Sequence, residues 1–304
     1  MAMFGRKTIL WTSSSLGLLL GLGHLYYFLT GDFRPGNVLM HAPYPLEVPA
    51  PCAEDRQHIQ QILDQEFDFL GHGHQTFVFA SRDQRYVLKL FKSDYLQYSW
   101  AIHVLPPIPP FKHLFLHRGA KKESRLRKVL HGYTVAYAYD RDNSGLLCFS
   151  PNQKGKMMGQ STIRLNTLGR GWLLNVNSVV FAIQKKAVTT CRELTQQLAA
   201  GNVDKAKQRL KQLFSLYLSE FQRGIIDRDE NLLDNTGFVD DRAIRFDVGK
   251  ISLDAGIVNE AAQRALLKKI VSKRLKPWIR SRFPRYFSDL SLEMDQLLAA
   301  LGEG

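Results

Sequence analysis

The stretch FLGHGHQTFVFASRDQRYVLKLFK, residues 69–92, constrains this chain more than any other part of it. Two apolar runs, Thr76 to Ser81 and Tyr86 to Phe91, flank the polar turn RDQR, a pattern that predicts a hairpin with a third strand, Phe67 to Leu70, before it. Lys89 breaks the apolar pattern of the last strand. A lysine there either reaches water from an edge strand or sits inside, held by a counter-charge. Gly71 and Gly73, two residues apart, are either turn residues needing unusual backbone angles or a bare loop that lets main-chain N–H groups approach a phosphate.

Helical periodicity follows. Residues 112–131 are predicted as a helix with Leu126, Val129, Leu130 and Tyr133 on its buried face. Glu123, three before Leu126 and seven before Leu130, falls on the same face, surrounded by Arg118, Lys121, Lys122, Arg125, Arg127 and Lys128. A carboxylate facing inward needs a cation, and Lys89 is the natural partner. Residues 133–186 read mainly as strand, with a hairpin around Leu168 to Gly171. Leu210, Leu213, Phe214, Tyr217, Leu218 and Phe221 then form a buried helical stripe, with Gly224 placed to cap its end. Two further helices close the chain. Strands first and helices second predict an α+β arrangement in two lobes.

The N-terminus reads differently. From Ile9 to Leu29 the chain runs 21 residues without a formal charge, long enough to cross a hydrocarbon core as a helix. No A-x-A site follows, so an uncleaved single-pass anchor is expected rather than a signal peptide. Tyr26, Tyr27 and Phe28, with Trp11 at the other end, occupy belt positions, and Ser13, Gly17 and Gly21 form a small-residue ladder. Arg6 and Lys7 predict a cytoplasmic N-terminus, which would put the rest of the chain across the membrane, where ATP is scarce. The side of the membrane stays open. Residues 31–53, rich in proline, predict an extended, unpacked linker, and a short helix begins near Glu54.

A net charge of +13 suits nucleic acid, an anionic membrane or a phosphorylated ligand. Lys268, Lys269, Lys273, Arg274, Lys276, Arg280, Arg282 and Arg285 on the last basic helix could supplement a tether at an anionic leaflet. Nucleic acid is the less favoured partner. Cys52, Cys148 and Cys191 have neither zinc spacing nor a disulfide framework.

Residues 224–251, GIIDRDENLLDNTGFVDDRAIRFDVGKI, carry Asp229, Asn235 and Asp247 in two loops flanking a predicted hairpin. Three oxygen-bearing side chains converging there would suit a hard cation such as Mg²⁺. Here the chain resembles a divergent member of the protein-kinase-like superfamily, over roughly residues 67–251. LGHGHQTFV resembles the glycine-rich loop, with Gly71, Gly73 and Val78 in place and Thr76 where the third glycine would be. YVLK resembles the strand bearing the phosphate-pairing lysine, Lys89, and Asp227-Arg228-Asp229 resembles H-R-D with Asp229 as the catalytic aspartate. FDVGK resembles D-F-G, with Asp247 as the metal aspartate.

The resemblance implies a bilobal kinase-like fold, with an N-lobe over 54–186 and a helical C-lobe over 187–304 carrying the catalytic and metal loops, after an anchor (1–30) and linker (31–53). It implies ATP and Mg²⁺ as cofactors, Val78 and Val87 against the adenine, Lys89 held by Glu123, and Asn235 with Asp247 on the metal. The FAIQKK segment, 181–186, falls where the connection between lobes would bind the adenine edge. Asp234 rivals Asn235, because the kinase pattern puts the asparagine five residues after the aspartate and here Asp234 stands there. No A-P-E element follows, and 53 residues remain after Ile251, so the hydroxyl acceptor is left unidentified. The expected activity is transfer of the γ-phosphoryl group of ATP; the alternative is a pseudokinase, a membrane-tethered binding module without turnover.

Overall fold

The computed structural model describes residues 2–93, 109–152 and 162–301. The expectations on the side chains of Arg6, Lys7, Trp11, Ser13 and Arg118 lie outside the described residues. The fold is α+β. Strands β1 (Glu66–His72), β2 (Thr76–Ser81) and β3 (Tyr86–Phe91) form the meander read from the sequence. They are joined by β4 (Leu146–Ser150), β5 (Thr162–Thr167), β6 (Arg170–Asn175) and β7 (Phe181–Lys185) in a seven-stranded sheet of order β4-β7-β3-β2-β1-β5-β6. Pairing is antiparallel except between β1 and β5. β3 lies third in that order and every one of its residues is buried, so Lys89 is no edge lysine.

The first helix, α1 (Ala2–Leu29), corrects the membrane expectation. Among the described residues no helix is long and apolar enough to cross a membrane. The reason is that an uncharged run is not the same as an apolar one: Thr12 to Ser15, three glycines, His24 and two tyrosines gain little from leaving water. Two of the belt aromatics, Tyr26 and Tyr27, contact the protein itself, while Phe28 is exposed. Tyr26 Oη lies 2.6 Å from Thr167 Oγ1, which also accepts from Trp172 Nε1 at 2.7 Å, and Tyr27 stacks under the Arg34 guanidinium at 4.1 Å.

The proline-rich segment is likewise packed. Phe33, Val38 and Leu39 are buried, Phe33 lying edge-on to Phe77 and Phe79 at 5.0 Å each. Leu39 donates to Phe91 O and accepts from Val180 N, so the segment bonds to both β3 and the run into β7. Prolines deny N–H groups at their own positions but leave the apolar residues between them free to pack. After α2 (Ala53–Leu63) and the first three strands comes α3 (Pro109–Tyr139), longer than predicted and extending into the region read as strand. The one-turn α4 (Arg141–Ser144) precedes β4.

The second half is helical. β8 (Val188–Thr189) leads to α5 (Thr190–Ala199) and α6 (Val203–Gln222), whose stripe of Leu210, Leu213, Phe214, Tyr217 and Phe221 is buried as expected, and Gly224 (φ 71°) ends it. β9 (Ile225–Asp227), α7 (Leu232–Asn235), β10 (Thr236–Val239), β11 (Arg242–Arg245) and β12 (Ile251–Leu253) follow, then α8 (Glu260–Ile270), α9 (Lys276–Arg282) and α10 (Phe287–Ala300). A π turn over Val271–Leu275 joins α8 to α9. Its wider winding keeps Gln263, Leu267, Val271, Leu275 and Ile279 buried at a strict spacing of four, which an unbroken α-helix would rotate out of phase.

Helix α3 ties the halves together: Leu126, Leu130 and Tyr133 pack on Phe91 and Phe149 from the sheet and on Val248 and Ile251 from the second half. Gly132 makes this approach feasible, since a Cβ there would stand 2.3 Å from Val248 O. Gly132→Ala should therefore force backbone apart and cost about 1–3 kcal/mol, read as a lowered urea midpoint with an unchanged m-value. A midpoint at wild-type level would show that α3 has room to shift.

Candidate active site

A cleft of about 340 Å³ opens between the sheet and the loop after β11. Its walls include Gly73, Thr76, Val78, Val87 and Lys89 from the meander, Val129 and Tyr133 from α3, Gln184 and Lys185 at the end of β7 with Lys186 and Ala187 after it, and Phe246, Asp247 and Gly249. Of the sequence candidates, Gly73, Thr76, Val78, Val87, Lys89 and Asp247 thus share one cavity, and the end of the 181–186 segment lines it too. Gly71, Glu123, Asp229 and Asn235 are not among its lining residues. Gly73 N donates to Thr76 O at 2.9 Å and closes the turn between β1 and β2, while a bulge in β1 falls between Phe69 and Gly71.

Lys89 points into this cleft, but not toward Glu123. Its ammonium donates to Phe246 O at 2.6 Å and faces the rings of Tyr133 and Phe246 at 5.7 and 5.9 Å. Burial pushes the amine down to about 8, against the opposing pull of the Asp247 carboxylate. Glu123 is corrected from partner to rim residue: its side chain is 42% exposed and meets Arg127 at 3.8 Å. Helical spacing sets the angle of Glu123 around α3 and not its height along the axis. Tyr133 is the α3 residue beside Lys89, ten residues or about 15 Å of helix from Glu123. Burial, with Asp247 adding to it, drives the Tyr133 hydroxyl well above its ordinary range.

Asp229 and Asn235 lie behind Asp247. Asn235 O accepts from Phe246 N and Asp247 N at 3.0 and 3.1 Å, so the two loops share a backbone clasp. The Asn235 amide donates to Asp227 Oδ2 at 3.1 Å and Asp229 Oδ2 at 3.4 Å. Asp234, the rival, accepts from Asn231 on the surface. Asp229 also meets Lys250 at 2.8 Å; burial opposes its ionisation, but the Lys250 and Asn235 hydrogen bonds and the Lys250 and Arg274 charges outweigh it and hold the carboxyl below the ordinary value. Asp247 Oδ1 accepts from Gly249 N at 3.2 Å. Among the described residues, no group of three or more His, Cys, Asp or Glu side chains is arranged to hold a metal, so a cation here would draw on Asp247, the Asn235 amide and oxygens from outside the chain.

Beneath the loop sits a residue that periodicity alone does not reveal. Arg245, fully buried, donates from Nε and Nη2 to both oxygens of Glu220 (2.8 and 2.7 Å) and from Nη1 to Asp227 Oδ2 (2.7 Å). Burial alone would lower its pKa, but Glu220, Tyr217 and Asp227 outweigh that and raise it. Asp227, which stands where H-R-D has its histidine, is therefore the buried anchor of the loop, and its Oδ1 accepts from Asp229 N at 2.9 Å. The signal available was Glu220 itself, a carboxylate one residue from Phe221 inside an apolar stripe.

Close by, Asp140 is buried with Arg223 Nη2 at 2.7 Å from Oδ1, though neither carboxylate oxygen accepts a hydrogen bond of good geometry. Burial first and the Glu220 charge second push it up to about 7, against Arg223 and Arg245. A carboxyl raised on folding takes up a proton with the fold, so its contribution is complete below the ordinary carboxylate range and is lost as pH climbs through 7. Unfolding free energy should accordingly fall between pH 5 and 7.5 by on the order of 3 kcal/mol from this group, and Asp140→Asn should flatten that decline in urea titrations. An equal decline in the variant would assign it elsewhere. Comparison with known protein families and with curated proteins returns no match to this chain.

Proposed function

We propose that the chain adopts a bilobal protein-kinase-like fold and that its cleft binds ATP with Mg²⁺ for transfer of a phosphoryl group to a hydroxyl acceptor. The observation that carries this reading is the meeting of Lys89 and Asp247 in one cavity roofed by the Gly73–Thr76 turn, with Asn235 clasping the backbone of Asp247 from below. The order of these parts along the chain is the order that the kinase resemblance implies. The cavity also fits the group chemically. Among the described residues Lys89 has no carboxylate within ion-pair distance, so its desolvated ammonium is a cation that an anionic phosphate would satisfy. Val78 and Val87 supply apolar wall for a base, and Asp247 supplies a hard oxygen of the kind Mg²⁺ favours, with Asn235 on the adjoining loop as the second residue that would hold the ion.

When bound, ATP supplies the phosphoryl group and Mg²⁺ the charge that neutralises it. The chain's own residues do the rest. Lys89 leaves its carbonyl partner for an anion, and the Gly73–Thr76 turn excludes water from one side. Asp229, ionised and held by Lys250 and Asn235, orients the acceptor hydroxyl and takes its proton. Because Lys250 and Asn235 make this carboxylate a weak base, orientation is the larger part of its work.

A second reading, nucleotide binding without transfer, is favoured by one observation: among the described residues no glutamate fixes Lys89, and Glu123 meets Arg127 instead. Mg²⁺-ATP should raise the melting temperature of the full chain, and Asp247→Ala should abolish the Mg²⁺-dependent part. No shift at millimolar ATP, with or without metal, would remove the nucleotide claim. With labelled ATP and a mixture of hydroxyl acceptors, Asp229→Asn should retain binding and lose roughly 10²-fold or more in turnover. A wild type that binds and transfers nothing selects the second reading. Glu123→Ala should leave binding unchanged and stability within about 0.5 kcal/mol, and a large loss of either would restore it as the Lys89 partner.

A further inference from the structure

A second cavity, of about 420 Å³, shares Lys185 with the nucleotide cleft but otherwise has different walls. Four cationic side chains from four elements line it: Arg141 at the start of α4, Lys185 at the end of β7, Arg223 just after α6 and Arg242 at the start of β11. Asp142 is the one carboxylate among its lining residues.

Two of the guanidinium forks are fixed before any ligand arrives. Arg141 donates to Asp55 Oδ2 at 3.0 Å and Leu147 O at 3.3 Å. Arg223 donates to Ser219 O and Tyr139 O at 2.9 and 3.3 Å, and to Ser219 Oγ at 2.9 Å. The other two, among the described residues, make no close ion pair, although Asp142, Asp240 and Asp241 line an adjoining concavity with them. Arg242 donates to the neutral Asn143 Oδ1 at 3.1 Å, and among the described residues neither it nor Lys185 has a carboxylate within ion-pair distance. Cations gathered around a concavity repel one another, and low-dielectric walls focus their field on its interior. A bound anion turns that repulsion into attraction, and planar guanidinium forks match the oxygens of a phosphate.

We propose that this cavity binds a monophosphate group, free or as the ester of a small alcohol. Its volume exceeds what a phosphate alone fills, and Ala138, Leu146 and Leu147 give the remaining wall an apolar character suited to a short organic portion. This site does not depend on the nucleotide reading, and apart from Lys185, which lies in the 181–186 segment and lines both cavities, its residues have no role in that reading.

Arg223 also bridges Asp140, so changing it would mix stability with binding. Arg242 and Lys185 are the informative positions. Calorimetric and thermal-shift titrations of the full chain would use inorganic phosphate in one arm and glycerol phosphate in the other, each against chloride at matched ionic strength. Saturable binding beyond chloride is expected in at least one arm, and tighter binding of the ester identifies it as the source. Arg242→Gln, which keeps a donor for Asn143 while dropping the charge, should weaken binding about tenfold, and Lys185→Gln should do the same. Lys89→Met should leave it unchanged. Circular dichroism checks that each variant is folded, and either of the first two suffices if the other is not. The proposal is overturned if neither anion binds beyond chloride, or if binding survives Arg242→Gln and Lys185→Gln. Loss in Lys89→Met would overturn it as well, by putting phosphate in the nucleotide cleft.

Discussion

Arg245 is the interaction on which the second half of the molecule is assembled. Its guanidinium is fully buried and engages Glu220 on α6 and Asp227 at the end of β9, joining a helix, a strand and a loop through one cation. Isolated, any of these charges would be untenable in the interior; together they are tolerable because each fork nitrogen meets a carboxylate in hydrogen-bonding geometry. Removing one partner would leave an uncompensated charge, a loss of about 3–5 kcal/mol, whereas the intact set adds less to stability than to uniqueness of arrangement. The arrangement it fixes is the loop: Asp227 receives the backbone of Asp229 and the amide of Asn235, and Asn235 in turn receives the backbone of Asp247.

The cleft is built on the opposite principle. Where Arg245 has two carboxylates, Lys89 has a carbonyl, two ring faces and the more distant Asp247. Its amine is pushed down to about 8 by burial, so the site holds a cation whose charge is only partly compensated by the protein. A fully paired lysine would gain little from an incoming anion, while this one stands to recover its lost solvation. The same reasoning separates the two cavities from an ordinary basic surface, where exposed ammonium groups are already satisfied by water and their pairings are worth little.

Much of the fold was legible because the relevant periods are short. The β2–β3 hairpin follows from two six-residue apolar runs flanking a polar turn, and the α6 stripe from spacing of three and four over a few turns. Placement of Lys89, Asp247 and the Gly73–Thr76 turn around one cleft is what the kinase resemblance implied, and residue patterns such as periodicity do not supply it. The place of Glu123 was not legible, since helical periodicity fixes the angle of a side chain and says nothing of where along the axis the neighbouring sheet ends; among the described side chains of α3, Leu126 is the first that is buried. Nor was Arg245: an arginine in a short exposed-looking hairpin, RAIR, reads as surface until Glu220 is known to face it from another element.

The N-terminal segments went astray for a related reason. A count of uncharged residues over 9–29 registers missing charge and not missing apolarity, and composition over 31–53 registers proline more readily than Phe33 before the first proline or Val38 and Leu39 between Pro35 and Pro43. Both segments are defined by what they contact. Tyr26 is held by Thr167, which Trp172 also grips, and Phe33 lies edge-on to Trp172 at 5.9 Å, so the end of α1 and the start of the proline-rich stretch close over the same β5–β6 hairpin. Burying Phe33 alone is worth roughly 1.5–3 kcal/mol, enough to order a segment whose prolines have already reduced the entropy it must give up. Proline content thus lowered the cost of docking this segment, which is the reverse of what an unpacked linker requires.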